Sequence, residues 1–126
     1  MRREIITTDR IAPSVGPFSA AVRAGDLLFL SGQVALDPAT GKLIAGDIGA
    51  QTEQIFANIS AVLEAAGKSF DDVMKTTVYL ANLDDFAGMN EVYARHVGDR
   101  PPARATIEVA RLPSDALVEI EAVAHL

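Results

Sequence analysis

The stretch from Asp47 to Gly67 constrains the fold most, because Ile55, Ile59, Val62 and Ala66 recur there at helical spacing. A helix with one apolar stripe must lay that stripe on a second layer of structure. Asp47 has the short acceptor side chain that caps a first turn, and Gly67 suits the left-handed backbone position just past a last one. The spacing predicts a helix over residues 47–66, and the fold then depends on what this helix packs against.

The flanking segments carry β patterns. Segments 19–23 and 27–31 are separated by Ala24-Gly25-Asp26, a turn composition that predicts a hairpin. The turn formers from Asp37 to Lys42 lead to a short strand at Leu43-Ile44. Segment 73–80 is β-branched and aromatic, and a second amphipathic helix is expected over 84–97. Segments 104–111 and 117–124 alternate around Leu112-Pro113-Ser114-Asp115, which reads as the turn of an antiparallel hairpin. The order ββαβαββ predicts an α+β sheet with both helices on one face. At 126 residues and 49% hydrophobic content, without repeats or low-complexity tracts, one domain over 1–126 is expected, burying roughly two-thirds of its unfolded surface.

Composition narrows the chemistry. Seventeen acidic residues against eleven Lys and Arg give a formal charge of −6, which repels a phosphate backbone, so nucleic acid is not the expected partner. The chain has no cysteine, which excludes disulfides, thiolate metal sites and a cysteine nucleophile and fits a reducing cytoplasm. Two histidines, His96 and His125, do not make a metal site by themselves, and no metal or organic cofactor is expected. The segment MRREIITTDR has charge without an apolar run behind it, so neither a signal peptide nor a membrane span is expected.

The polar residues that could carry chemistry sit near strand ends. In RPPARATIEVARLP, a strand period of two sets Arg104, Thr106 and Glu108 on one face and Ile107 and Val109 on the other. Arg104 is either a solvated surface cation or a carboxylate receptor, since a guanidinium bonds both oxygens of a carboxylate at once and Pro101-Pro102 stiffen its approach. Glu119 and Glu121 share one face of the next strand; both are solvated, or one is a general base raised in pKa by burial. With the hairpin turn near Ser114, Arg104 would pair roughly with Ala124, leaving Glu119 about 17 Å away. If the two serve one small substrate, the site lies between subunits of a cyclic homo-oligomer. Asn90 falls in the sector of Phe86, Tyr93 and Val97, as a structural amide or a ligand contact. Ser31, beside Gly32, offers a hydroxyl at a strand end, and Phe18 follows the turn Gly16-Pro17 as a core residue or a cavity wall.

Taken in order, Gly16-Pro17-Phe18-Ser19, Ser31-Gly32-Gln33, Val73-Met74-Lys75-Thr76-Thr77-Val78, Leu83-Asp84-Asp85-Phe86, Pro102-Ala103-Arg104, Glu108-Val109-Ala110-Arg111-Leu112-Pro113 and Glu119-Ile120-Glu121-Ala122 form a specific set. Over nearly its full length the chain resembles the RidA/YjgF family of enamine/imine deaminases, also called the endoribonuclease L-PSP family. The resemblance implies a chorismate-mutase-like α+β fold, a homotrimer with clefts between subunits, and cofactor-free hydrolysis of 2-imino or enamine acids of the 2-aminoacrylate type to 2-keto acids and ammonia. It implies that Arg104 grips the substrate carboxylate with help from backbone amides near Thr106, that Glu119 polarises the catalytic water, and that Ser31 and Asn90 line the cleft. Two residues depart from the pattern: Phe18 stands where tyrosine is usual, and Thr106 where many members have cysteine. The missing phenol keeps a non-catalytic binder of small carboxylates in play, and ribonuclease activity, attributed to some relatives, is disfavoured by the charge of −6.

Overall fold

A computed structural model describes residues 2–126. Six strands form one sheet: β1 (Glu4–Ile6), β2 (Ala21–Ala24), β3 (Leu27–Gln33), β4 (Val73–Leu80), β5 (Ala103–Glu108) and β6 (Val118–His125). They lie in the order β1-β2-β3-β6-β4-β5. Two helices, α1 (Ile48–Ala65) and α2 (Phe86–Val97), cover one face. The α+β architecture with both helices on one side is the expected one.

Helix α1 begins where the Asp47 carboxylate accepts from Ala50 N at 3.0 Å. It ends in a paired closure, Gly67 N donating to Glu64 O and Lys68 N to Leu63 O, with Gly67 at φ +73°. Its buried stripe of Ile55, Phe56, Ile59, Val62 and Leu63 meets the sheet through Leu28, Leu30, Val78, Leu80, Val118 and Ile120. Each such large apolar side chain contributes about 1.5–3 kcal/mol on burial, which is what holds helix and sheet together.

The expected pairing of segments 104–111 and 117–124 is wrong. Strand β5 pairs in parallel with β4, while β6 sits between β3 and β4, antiparallel to both. The physical reason is burial. Val118, Ile120, Ala122 and Ala124 are all buried and require an interior strand, whereas β5 has no buried residue and tolerates an edge. The crossover through α2 makes β4 and β5 parallel, and residues 109–117 are long enough to carry the chain back past β4. Leu112–Asp115 is a turn, as read, but Ser114 and Asp115 adopt left-handed φ values of 60° and 54° within a wider connection.

Smaller differences follow from local chemistry. β1, absent from the sequence reading, pairs Glu4, Ile5 and Ile6 with the far edge of β2. Leu43 makes an isolated bridge to Leu36 rather than a strand with Ile44. Helix α2 starts at Phe86 after a 3₁₀ turn over Leu83–Asp85, which Asn82 caps through Asp84 N. The sheet face away from the helices is bare and carries exposed Ile5, Leu27, Phe29 and Ile107. Among the described residues no helix is long and apolar enough to cross a membrane.

Candidate active site

Arg104 lies on the helix-covered face of β5, not on a solvated one. The alternation places it beside Thr76, a buried residue of β4. The Thr76 hydroxyl and the Tyr93 phenol share a 2.6 Å hydrogen bond that fixes the Tyr93 ring. The guanidinium carbon stands 4.6 Å from that ring's centroid and 5.5 Å from that of Phe86. Stacking on both rings holds the guanidinium in one region, and one of its NH groups approaches the buried Met89 sulfur at 4.0 Å. Among the described residues no carboxylate pairs with it.

A cavity of about 380 Å³ opens beside this cation, lined by Asn90, Tyr93, Val97, Pro101, Pro102 and Arg104. Asn90 is half-buried there, on α2. Val109 N donates to Leu80 O at 2.9 Å, so by the strand period the amides of residues 105 and 107 also face β4. The Thr106 amide then faces the free edge of the sheet, next to Arg104. The Thr106 hydroxyl is buried with no hydrogen-bond partner.

Glu119 occupies a different place. It lies on the bare face of β6 in a second cavity of about 550 Å³ with Phe18, Ser31, Gly32, Gln33, Pro113 and Ser114. It is the single ionisable side chain among the described residues lining that cavity. Its carboxylate rests on Gly32, where a Cβ would come within 2.9 Å of the carboxyl carbon, so glycine is required by the acid's position. Burial pushes the Glu119 pKa above the ordinary glutamate range, and the neighbouring Glu121 charge adds to the rise.

Ser31 and Phe18 meet in this second cavity with different freedom. The Ser31 hydroxyl donates to Ser19 O at 2.6 Å, so its proton is engaged and its oxygen remains as an acceptor. Phe18 is 52% exposed and forms an apolar wall instead of joining the core.

The sequence-read residues thus form two clusters, Arg104 with Asn90 and Thr106, and Glu119 with Phe18 and Ser31. Arg104 aligns with Thr76 and, across β4, with Ala122, three residues from Glu119. Two strand spacings and three residues put their Cα atoms about 14 Å apart, and their side chains leave opposite faces. The separation first read from a hairpin survives the change of topology, for a different reason.

Several supporting residues escaped the sequence reading. Asn58, buried on α1, donates to Leu36 O at 3.0 Å and accepts from Gln54. Gln51 accepts from Leu117 N at 2.9 Å. These amides tie down two chain segments that border the larger cavity. Their signal was available, because 51 and 58 fall in the same helical stripe as Ile55 and Val62.

The family model described as endoribonuclease L-PSP matches residues 7–126. The chain belongs to this family, the RidA/YjgF family. It is 52% identical to a RutC family protein of Pyrococcus horikoshii, over 98% of each chain. It is 42% identical to the 2-iminobutanoate/2-iminopropanoate deaminase of Mus musculus, over 97% of this chain and 90% of that one. Its structure is similar to the crystal structure of E. coli TdcF with bound serine, at a TM-score of 0.91 and 39% identity over 98% of each chain. Some RidA/YjgF relatives are therefore named as deaminases, while others carry only a family name.

Proposed function

We propose that this protein is a cofactor-independent deaminase that hydrolyses small 2-imino acids, and their enamine tautomers, to 2-keto acids and ammonia. The observation that carries the reading is Arg104: a guanidinium stacked on Tyr93 and Phe86, without a carboxylate partner among the described residues of an acidic chain. Such a group receives an external carboxylate through two charge-assisted bonds. The deaminase name of the mouse relative and the serine bound to TdcF support a small amino-acid-like ligand.

In this reading Arg104 and the Thr106 amide hold the substrate carboxylate, and Asn90 lines the space beside it. Glu119 takes a proton from water as the water oxygen bonds to the imine carbon. That proton passes to nitrogen to complete the carbinolamine; the hydroxyl proton is then moved to the amine through Glu119 as the carbon–nitrogen bond breaks and the carbonyl forms, releasing ammonia and the 2-keto acid. A carboxyl with a raised proton affinity suits both halves of this exchange.

Because Arg104 and Glu119 do not converge within one chain, we assign the working site to the junction of two subunits in a homotrimer. The exposed apolar residues of the bare sheet face support such an assembly.

Imines generated in place by an amino-acid oxidase test the activity. Arg104→Ala should lower kcat/KM by about 10²-fold, corresponding to about 3 kcal/mol of charge-assisted bonding, with the fold retained. Arg104→Lys should recover little, because a lysine lacks the planar fork. Equal rates for wild type and Arg104→Ala would reject the assignment.

Phe18 favours one alternative, a binder of small carboxylates without turnover, since no phenol stands at that wall to orient water or the imine nitrogen. Saturable binding with no acceleration of imine hydrolysis would select it.

A further inference from the structure

On the bare sheet face, one contact beside Glu119 is not required by catalysis with a single acid. The Tyr79 phenol donates to the Glu121 carboxylate. In register, Tyr79 is the direct partner of Glu119 across β4 and β6, and Thr77 is the partner of Glu121. The Tyr79 side chain therefore crosses diagonally past Glu119's position to reach Glu121, two residues along the same face.

The two carboxylates are consequently unlike. Glu121 has a phenol donor, whereas Glu119 is backed by Gly32 and opens into the larger cavity. Other groups on this face do not neutralise the pair. The Lys75 ammonium donates to Thr77 Oγ1 at 3.2 Å, β3 carries no charged side chain, β5 presents Ala105 and Ile107, and His125 stands exposed at the far end of β6, four residues from Glu121. Among the described residues, no ion pair reaches either acid.

We propose that Tyr79 and Glu121 are positioning residues for Glu119: the phenol fixes the Glu121 carboxylate in place, and that fixed charge makes Glu119 the member of the pair that carries the exchangeable proton. The step it serves rests on the deaminase reading, but the arrangement of charge does not. Both Glu119 and Tyr79 have pKa values raised from their ordinary ones; for Tyr79 the bond to Glu121 is the largest cause, followed by burial and the two carboxylate charges. Separating two like acids by unequal surroundings assigns the proton to one of them.

The experiment is a site-resolved ¹³C carboxyl titration of the full chain, with the Glu119 signal identified by its loss in Glu119→Gln. Wild type, Glu121→Gln and Tyr79→Phe are compared. Glu121→Gln keeps the size of the side chain and an acceptor for Tyr79 while removing the charge, so the Glu119 midpoint should move to lower pH. Tyr79→Phe leaves Glu121 charged but unanchored, and the midpoint should move the same way by less. An unchanged Glu119 midpoint in Glu121→Gln overturns the proposal. The acidic limb of kcat/KM should shift in the same order, which a purely structural contact would not produce. If wild type fails to hydrolyse imines, the functional reading falls, and the titration alone still decides the positioning role.

Discussion

Gly32 and Glu119 are coupled by contact. A methyl at position 32 meets the far end of a flexible side chain, so the backbone can survive while the acid must turn away. Gly32→Ala should therefore keep its thermal midpoint within a few degrees and lose about 10²-fold in kcat, the usual scale for a displaced acid–base group. Comparable losses of stability and activity would contradict this. Glu119 also leaves a thermodynamic trace. Its folded pKa exceeds the unfolded one, so between those values the folded chain binds more protons and stability falls as pH rises. Glu119→Gln should thus stabilise the protein in urea at about pH 8, and the gain should vanish near pH 3, where both states are protonated. A gain of equal size at both pH values would show that charge is not its origin.

At the level of elements, α1 does two jobs. Its apolar stripe anchors the sheet, while Gln51 and Asn58 hold the segments at Leu117 and Leu36 beside the Glu119 cavity. Removing the Asn58 amide leaves Leu36 O without its buried donor, so Asn58→Ala should cost about 2 kcal/mol in urea denaturation. Because Leu36 lines the cavity, KM should rise as well; a loss of stability with unaltered kinetics would show that the segment does not shape the site. The helices and most strands were legible because periodicity, caps and turn residues are local signals. The partner of β5 was not, since hairpin and crossover both satisfy an alternating segment followed by a turn. Burial across the whole sheet distinguishes them.

For the whole molecule, the proposed division of the site between subunits predicts complementation. Arg104→Ala and Glu119→Gln chains, each nearly inactive alone, should form mixed rings in which about a quarter of the sites have both groups intact, and activity should return to about that fraction of wild type. No recovery, with mixed assemblies demonstrated by mass, would place both groups in a site within one chain. What the sequence by itself determined was the α+β class, both helices and the family, because these depend on residue type and near-neighbour spacing. Tertiary structure alone decided that β6 is interior and β5 an edge, that Arg104 rests on aromatic rings, and that Tyr79 reaches Glu121. Those contacts join residues from 11 to 42 positions apart, and which of many possible partners meet is set by how the entire sheet buries its apolar side chains.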